Sequence, residues 1–198
     1  MEKYRKTGDV ADLDEAIKVR RETLLLRSEG HSERHTSLHC LGFSLLEKYR
    51  KSGDVAALDE SIDLDRQVLL LRPEGHSERH TTLNGLAISL LEKYHDSGDI
   101  AHLDEAIHVR RQALLLRPEG HPERHDSLHG LGSSLLDKYH KNGDVAHLNE
   151  AINLIRPALD QLPIGHLQRD SIQPIFDQLL VLRSSATIRN LAQKRGSP

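Results

Sequence analysis

The sequence predicts an all-α chain: an α-solenoid of antiparallel helix pairs. Three observations carry this. The chain repeats with a period of 45 residues, so that Glu2-Lys3-Tyr4 returns as Glu47-Lys48-Tyr49, Glu92-Lys93-Tyr94 and Asp137-Lys138-Tyr139. Blocks 47–91 and 92–136 share 30 of 45 positions without a gap. Within a block apolar residues recur at steps of three and four, and no segment alternates with strand period. A fixed period of this length marks an array in which each unit buries its apolar face only against its neighbours.

The elements follow in order. Residues 2–6 repeat only the tail of a first helix, which leaves a second helix (Leu13, Ala16, Ile17, Leu24) without its usual cover. An open apolar face at that end implies either a longer array or two copies meeting there as a homodimer. The unit from Pro73 to Pro118 shows the plan of the full repeats. Pro73-Glu74-Gly75-His76 breaks the chain, and Ser77 offers a hydroxyl to cap the next helix. Leu83, Leu86, Ala87, Leu90, Leu91 and Tyr94 then form one apolar stripe, which Ser97-Gly98-Asp99 ends, with Gly98 suited to a left-handed C′ position. Leu103, Ala106, Ile107, Ala113 and Leu114 form a second stripe, with Asp99 or Asp104 as its cap and Pro118 as its stop.

Repeats over 2–46, 47–91 and 92–136 and a partial one over 137–166 make an array spanning 1–166. Pro157 should kink or weaken the last second helix. Residues 167–198 read as capping helices and a tail. Ile172, Ile175, Phe176, Leu179 and Leu180 keep helical spacing, Leu182, Ile188 and Leu191 suggest a last helix over the stack, and Gln193–Pro198 should fray.

Composition removes several classes. Aromatics are 3% of the chain and Trp is absent, so Leu, Ile and Ala must supply the core. A net charge of −3 with no basic stripe argues against nucleic acid. The single cysteine, Cys40, forbids an internal disulfide and fits a reducing compartment. The charged start Met1-Glu2-Lys3-Tyr4-Arg5-Lys6 is not a signal peptide, and no apolar run is long enough to span a membrane. A soluble, cytoplasmic protein is expected.

These repeats resemble the tetratricopeptide (TPR) family with an enlarged unit. Leu41-Gly42, Leu86-Ala87 and Leu131-Gly132 match the family's Leu-Gly pair, and Ala16, Ser61, Ala106 and Ala151 match its small residue in the second helix. Pro73, Pro118 and Pro163 match its closing proline. Two slots depart from the pattern: Leu38, Leu83 and Leu128 replace its Trp, and Arg20, Asp65, Arg110 and Ile155 replace its Phe. The Gly-His-Pro-Glu-Arg run at 120–124 is similar to the longer repeats of kinesin light chains and of fungal arrays beside NACHT or CHAT domains. The resemblance implies a right-handed superhelix and a protein-interaction scaffold that grips a peptide or helix in a concave groove. It places His39, Phe43, Arg50, Asn84, Ile88, His95, His129, Ser133 and His140 in that groove. The family's Lys/Arg carboxylate clamp is not matched, since Thr36, His39 and Cys40 stand at those places.

Other chemistry is weakly supported. The 14 histidines include His31, His35, His39 and His121, His125, His129, each set at steps of four on one helix face. Such spacing lets two histidines share a metal, which makes a metal-binding protein the third reading. The competing reading is repetition of one His-containing corner, where His31, His76 and His121 cap or pack. No acid or cysteine recurs at ligand spacing, no phosphate loop is present, and no enzyme, cofactor or resident metal is expected. A groove lined by histidine would take acidic peptides more tightly below pH ~6.5.

Overall fold

The computed structural model describes residues 10–195, with side chains as far as Arg189. Among the described residues there are eight α-helices and no strand: α1 (Val10–Leu26), α2 (Arg34–Ser52), α3 (Val55–Leu71), α4 (Arg79–Ser97), α5 (Ile100–Leu115), α6 (Arg124–Asn142), α7 (Val145–Asp160) and α8 (Leu167–Arg195). None is long and apolar enough to cross a membrane. The fold is an α-solenoid of antiparallel helix pairs. The chain divides into two compact units, Met1–Val109 and Arg110–Pro198, with the boundary inside α5.

The turn within each pair takes two residues. Gly53, Gly98 and Gly143 adopt left-handed φ of 71°, 70° and 71°, and each N–H donates to the carbonyl of Tyr49, Tyr94 or Tyr139 at 2.7 Å. A Cβ strains this conformation, so glycine ends every first helix. The next residue starts the second helix. Asp54 accepts from Ala57 N at 3.2 Å, Asp99 from Ala101 N at 2.9 Å and Asp144 from Ala146 N at 2.9 Å. Of the two caps the sequence offered for α5, Asp99 therefore serves.

The corner between pairs is built on two guanidinium groups. Arg79 donates to the carbonyls of Leu69, at 2.9 Å, and Arg72, closing the last turn of α3. Arg34, Arg124 and Arg169 do the same for α1, α5 and α7. The carbonyls at a helix end lack internal partners and carry the negative pole of the dipole, so a cation suits them. Arg72 is only 2% exposed; it donates to Thr82 Oγ1 at 2.8 Å and pairs with Glu78 at 2.6 Å. Arg117 repeats this with Ser127 at 2.9 Å and Glu123 at 2.7 Å.

Capping of the first helices corrects one expectation. Ser77 does not cap α4; the N-cap residue Glu78 has no side-chain bond, and its own N–H donates to His76 Nδ1 at 3.1 Å. His31, His121 and His166 accept in the same way from Glu33, Glu123 and Gln168. The glycine before each histidine, at φ between 83° and 90°, turns the chain so that the ring reaches two residues ahead.

In the first unit Leu13 and Ile17 of α1 pack with Leu38, Leu41 and Leu45 of α2 and with Ala57, Leu64 and Val68 of α3. The expected first-helix tail at residues 2–6 lies outside the described residues. In the second unit α7 packs between α6 and α8, and Leu131, Leu135, Leu148, Ile152, Ile155, Ile172 and Leu179 are buried. Helix α7 runs through Pro157 to Asp160.

The C-terminal segment differs from expectation. Separate capping helices were predicted, but residues 167–195 form one helix that contains Pro174 and includes 193–195 of the expected tail. No glycine lies between Gly165 and Gly196 to stop it, and one proline removes only one backbone donor. Ile188, expected to lie over the stack, is 67% exposed. Leu191 has no described side chain, and residues 196–198 lie outside the described residues.

The substituted Phe slot changes packing locally. A Cβ at Gly132 would lie 2.5 Å from Ile155 Cγ1, whereas at Gly42 its nearest neighbours are 3.6 Å away. Gly42→Ala should therefore gain up to about 1 kcal/mol of helix propensity. Gly132→Ala should fall below it by about 1–3 kcal/mol, because Ile155 must move. Urea denaturation of the two variants checks the difference, and equal stability would refute the account. Thr82→Val, which removes an acceptor from buried Arg72, should cost about 1–3 kcal/mol in the same assay.

Candidate functional site

In the first unit the sequence-predicted residues lie on α2 and α4. Phe43 and Ile88 hold the same repeat position and stay 45% and 36% exposed, although both are large and apolar. His39 and Asn84, one turn earlier on the same helices, are half-buried. Arg50 and His95 lie near the helix ends and are exposed. Arg50 is drawn into an ion network, with Nε donating to Glu92 at 2.9 Å and Nη1 to Glu47 at 3.1 Å. The His95 ring lies 5.4 Å from Tyr94.

The second unit carries its own set on α6. His129 and Ser133 are half-buried, and Ser133 Oγ donates to the His129 carbonyl at 3.0 Å. His129 Nε2 is buried and has no hydrogen-bond partner among the described residues. Burial pushes the His129 pKa down, and the nearby Arg110 charge adds to the effect. Neutral histidine is therefore favoured there, so acidification charges this position later than an ordinary histidine. His140 is exposed beside Tyr139, ring centres 5.8 Å apart.

Beneath these faces lie charged residues that sequence reasoning treated only as packing departures. Asp65 on α3 is 4% exposed, and its carboxylate lies 3.4 Å from His39 Nδ1. Burial raises its pKa, while the bond to His39 and the charges of His39 and Arg72 pull the other way. A Cβ at Gly85 would come within 3.1 Å of Asp65 Oδ2. Arg110 in the second unit donates to the Gly130 carbonyl, and a Cβ at Gly130 would lie 3.1 Å from its Nη1. Burial lowers the Arg110 pKa to about 10, with Asp137 opposing, so the guanidinium stays charged at neutral pH. Arg20 on α1 donates to the Cys40 carbonyl and Ser44 Oγ. The signal was in the spacing: each charge at 20, 65 or 110 precedes a small residue at 40, 85 or 130 by 20 positions.

The histidine sets are turned to protein partners rather than toward a common point. His31 and His121 accept at helix starts, His35 Nδ1 accepts from Arg72 Nε at 3.1 Å, and His125 Nε2 meets Gln168 Oε1 at 2.7 Å. Among the described residues no group of three or more His, Cys, Asp or Glu side chains is placed to hold a metal ion.

No known family profile matches the chain, and no characterised protein sequence does. Solved structures do match. The crystal structure of a Podosopora anserina protein, described as a putative kinesin light chain with nearly identical TPR-like repeats, aligns at a TM-score of 0.62 and 19% identity. The alignment covers 100% of this chain and 93% of that one. A single-substitution variant of that protein gives a TM-score of 0.63 and 19% identity over 98% and 89% of the two chains. The chain thus has the TPR-like helical-repeat fold that the sequence led us to expect.

A pH test follows from His129. A histidine with a lowered folded pKa contributes stability that is present above the unfolded value of ~6.5 and is lost as pH falls through the folded value. Urea midpoints of the parent chain should therefore decline on acidification below ~6.5, and His129→Gln should decline less. Identical profiles would show that His129 does not carry the effect.

Proposed function

We propose that the chain is a protein-interaction scaffold that holds an extended peptide or helix along the exposed face of its first helices. One observation carries the reading: Phe43 and Ile88 remain exposed at one repeat position, flanked by His39, Asn84 and the buried carboxylate of Asp65. Large apolar side chains ringed by polar groups are the usual composition of a contact surface. The same positions vary between otherwise near-identical repeats, as a surface reading different parts of one ligand does. The second unit contributes His129, Ser133 and His140 as its own face, and Arg50 and His95 complete that of the first. The fold likeness supports the general class, because TPR-like repeats present arrays of such faces. The role is non-catalytic and cytoplasmic.

Binding is tested by screening the intact chain against a displayed peptide library and measuring selected peptides by calorimetry. Phe43→Ala with Ile88→Ala should weaken a selected peptide at least about tenfold, as loss of interface anchors does. The circular dichroism of that double variant should match the parent, since both side chains are exposed. Unchanged affinity would move the site off this face. Homodimerisation through the N-terminal end is the competing reading, and light scattering separates them: a monomer that binds peptide supports the scaffold.

A further inference from the structure

The repeats themselves show what fills the cleft between a second helix and the first helix that follows it. Between α3 and α4 that cleft holds Asp65 and Arg72, and the preceding first helix, α2, lies over it. His35 Nδ1 accepts from Arg72 Nε at 3.1 Å, and His39, one turn further, meets Asp65 at 3.4 Å. Two side chains four apart on a helix thus engage two cleft residues seven apart on α3. The cleft is a socket for one helix face, with the charge of each floor residue deciding what sits on it.

The equivalent cleft between α1 and α2 has a different floor. Arg20 stands where Asp65 does, and Arg27 stands where Arg72 does. No described helix lies over it, and a cavity of about 130 Å³ remains, lined by Arg20, Thr23, Arg27, Thr36, Ser37 and Cys40. The lining holds two guanidinium groups, three hydroxyls and no carboxylate. Arg27 Nη1 donates to Ser37 Oγ at 2.6 Å and to the Glu33 carbonyl at 3.2 Å, which holds its head group at the rim. Arg20 is held by the Cys40 carbonyl and Ser44 Oγ. Both cations are positioned by the fold, and a guanidinium presents five N–H donors in a planar fork suited to carboxylate.

We infer that the α1–α2 cleft is a docking socket for a helix of a partner protein carrying carboxylates at positions i and i+4. The first carboxylate takes the place of His35 and pairs with Arg27. The second takes the place of His39 and pairs with Arg20. A helix with basic residues at those positions meets like charge, and one with neutral residues covers two guanidinium groups without bringing a carboxylate to them. The socket therefore discriminates by charge. The inference does not rest on the scaffold reading, because it uses neither Phe43 nor Ile88.

The probes are N-acetylated, C-amidated helical peptides, one with Glu at i and i+4, one with Gln at both, and one with Glu at i and Lys at i+4. Binding to the intact chain is read by fluorescence anisotropy. The Glu,Glu peptide should bind at least about tenfold tighter than the Gln,Gln peptide, the gain expected of charge-assisted pairs. Arg20→Asp recreates the Asp65 arrangement and should switch preference to the Glu,Lys peptide. Thr23→Asp keeps both arginines and their hydrogen bonds but places a carboxylate in the cavity; it should abolish the Glu,Glu preference even if Arg20→Asp fails to fold. Equal binding of the Glu,Glu and Gln,Gln peptides overturns the inference, as does a preference that survives Thr23→Asp. A parent chain that doubles its mass in light scattering and returns to monomer in Thr23→Asp would assign the socket to a second copy, which also overturns it.

Discussion

The structure depends on the arginine pair at each corner. One guanidinium (Arg34, Arg79, Arg124, Arg169) closes the carbonyls at the end of a second helix. The other (Arg27, Arg72, Arg117) reaches forward to a hydroxyl of the next first helix at Ser37, Thr82 or Ser127. Together they tie the end of one helix pair to the start of the next. A buried cation is costly without partners for its charge and its donors, and the corner supplies backbone carbonyls, a hydroxyl and a glutamate. This explains why Arg-x-Glu-Gly-His-x-Glu-Arg is copied nearly unchanged while neighbouring positions drift. Each member serves the others: the glycine turns the chain, the histidine caps, and the glutamate neutralises the buried arginine.

With the corners invariant, variation is confined to a few positions per repeat, and those set chemistry rather than fold. The slot at 20, 65, 110 and 155 illustrates this. A charge there needs a small residue opposite, met by Cys40, Gly85 and Gly130. Where the slot turns apolar, at Ile155, the close packing shifts to Gly132 and the charged floor disappears. One repeat frame thus presents an arginine, an aspartate or a plain aliphatic surface beneath its first helices. The exposed pairs Arg21–Glu60 and Arg66–Glu105 in the first unit, and Arg111–Glu150 in the second, link successive second helices at a fixed spacing. Being solvated, each adds little stability.

Much of the fold was legible because it is local. Gly98 and Asp99 each act through their own backbone or that of a near neighbour, so their chemistry is readable from residue type and position. The cap at Ser77 was misread because the choice between its hydroxyl and the His76 ring depends on backbone angles that spacing does not report. The second capping helix was misread for the opposite reason: apolar residues at Leu182 and Ile188 suggested burial, but only a neighbouring helix can provide it. Of the candidate site, the surface positions could be listed in advance, while the charged floor could not. Asp65 and Arg110 look like ordinary surface residues until the fold brings Gly85 and Gly130 over them.

The sequence by itself determined the repeat length, the helix pairing, the two-residue turn and the corner, because all of these are enforced within about one repeat of chain. Only the tertiary structure decided which charges are buried, which histidines are already engaged, and where a cleft stays open. Those depend on contacts between residues 20 to 40 positions apart, such as Arg20 with Cys40 and His35 with Arg72. A periodic pattern tells which faces meet. The distance and desolvation at each meeting arise only once the helices pack.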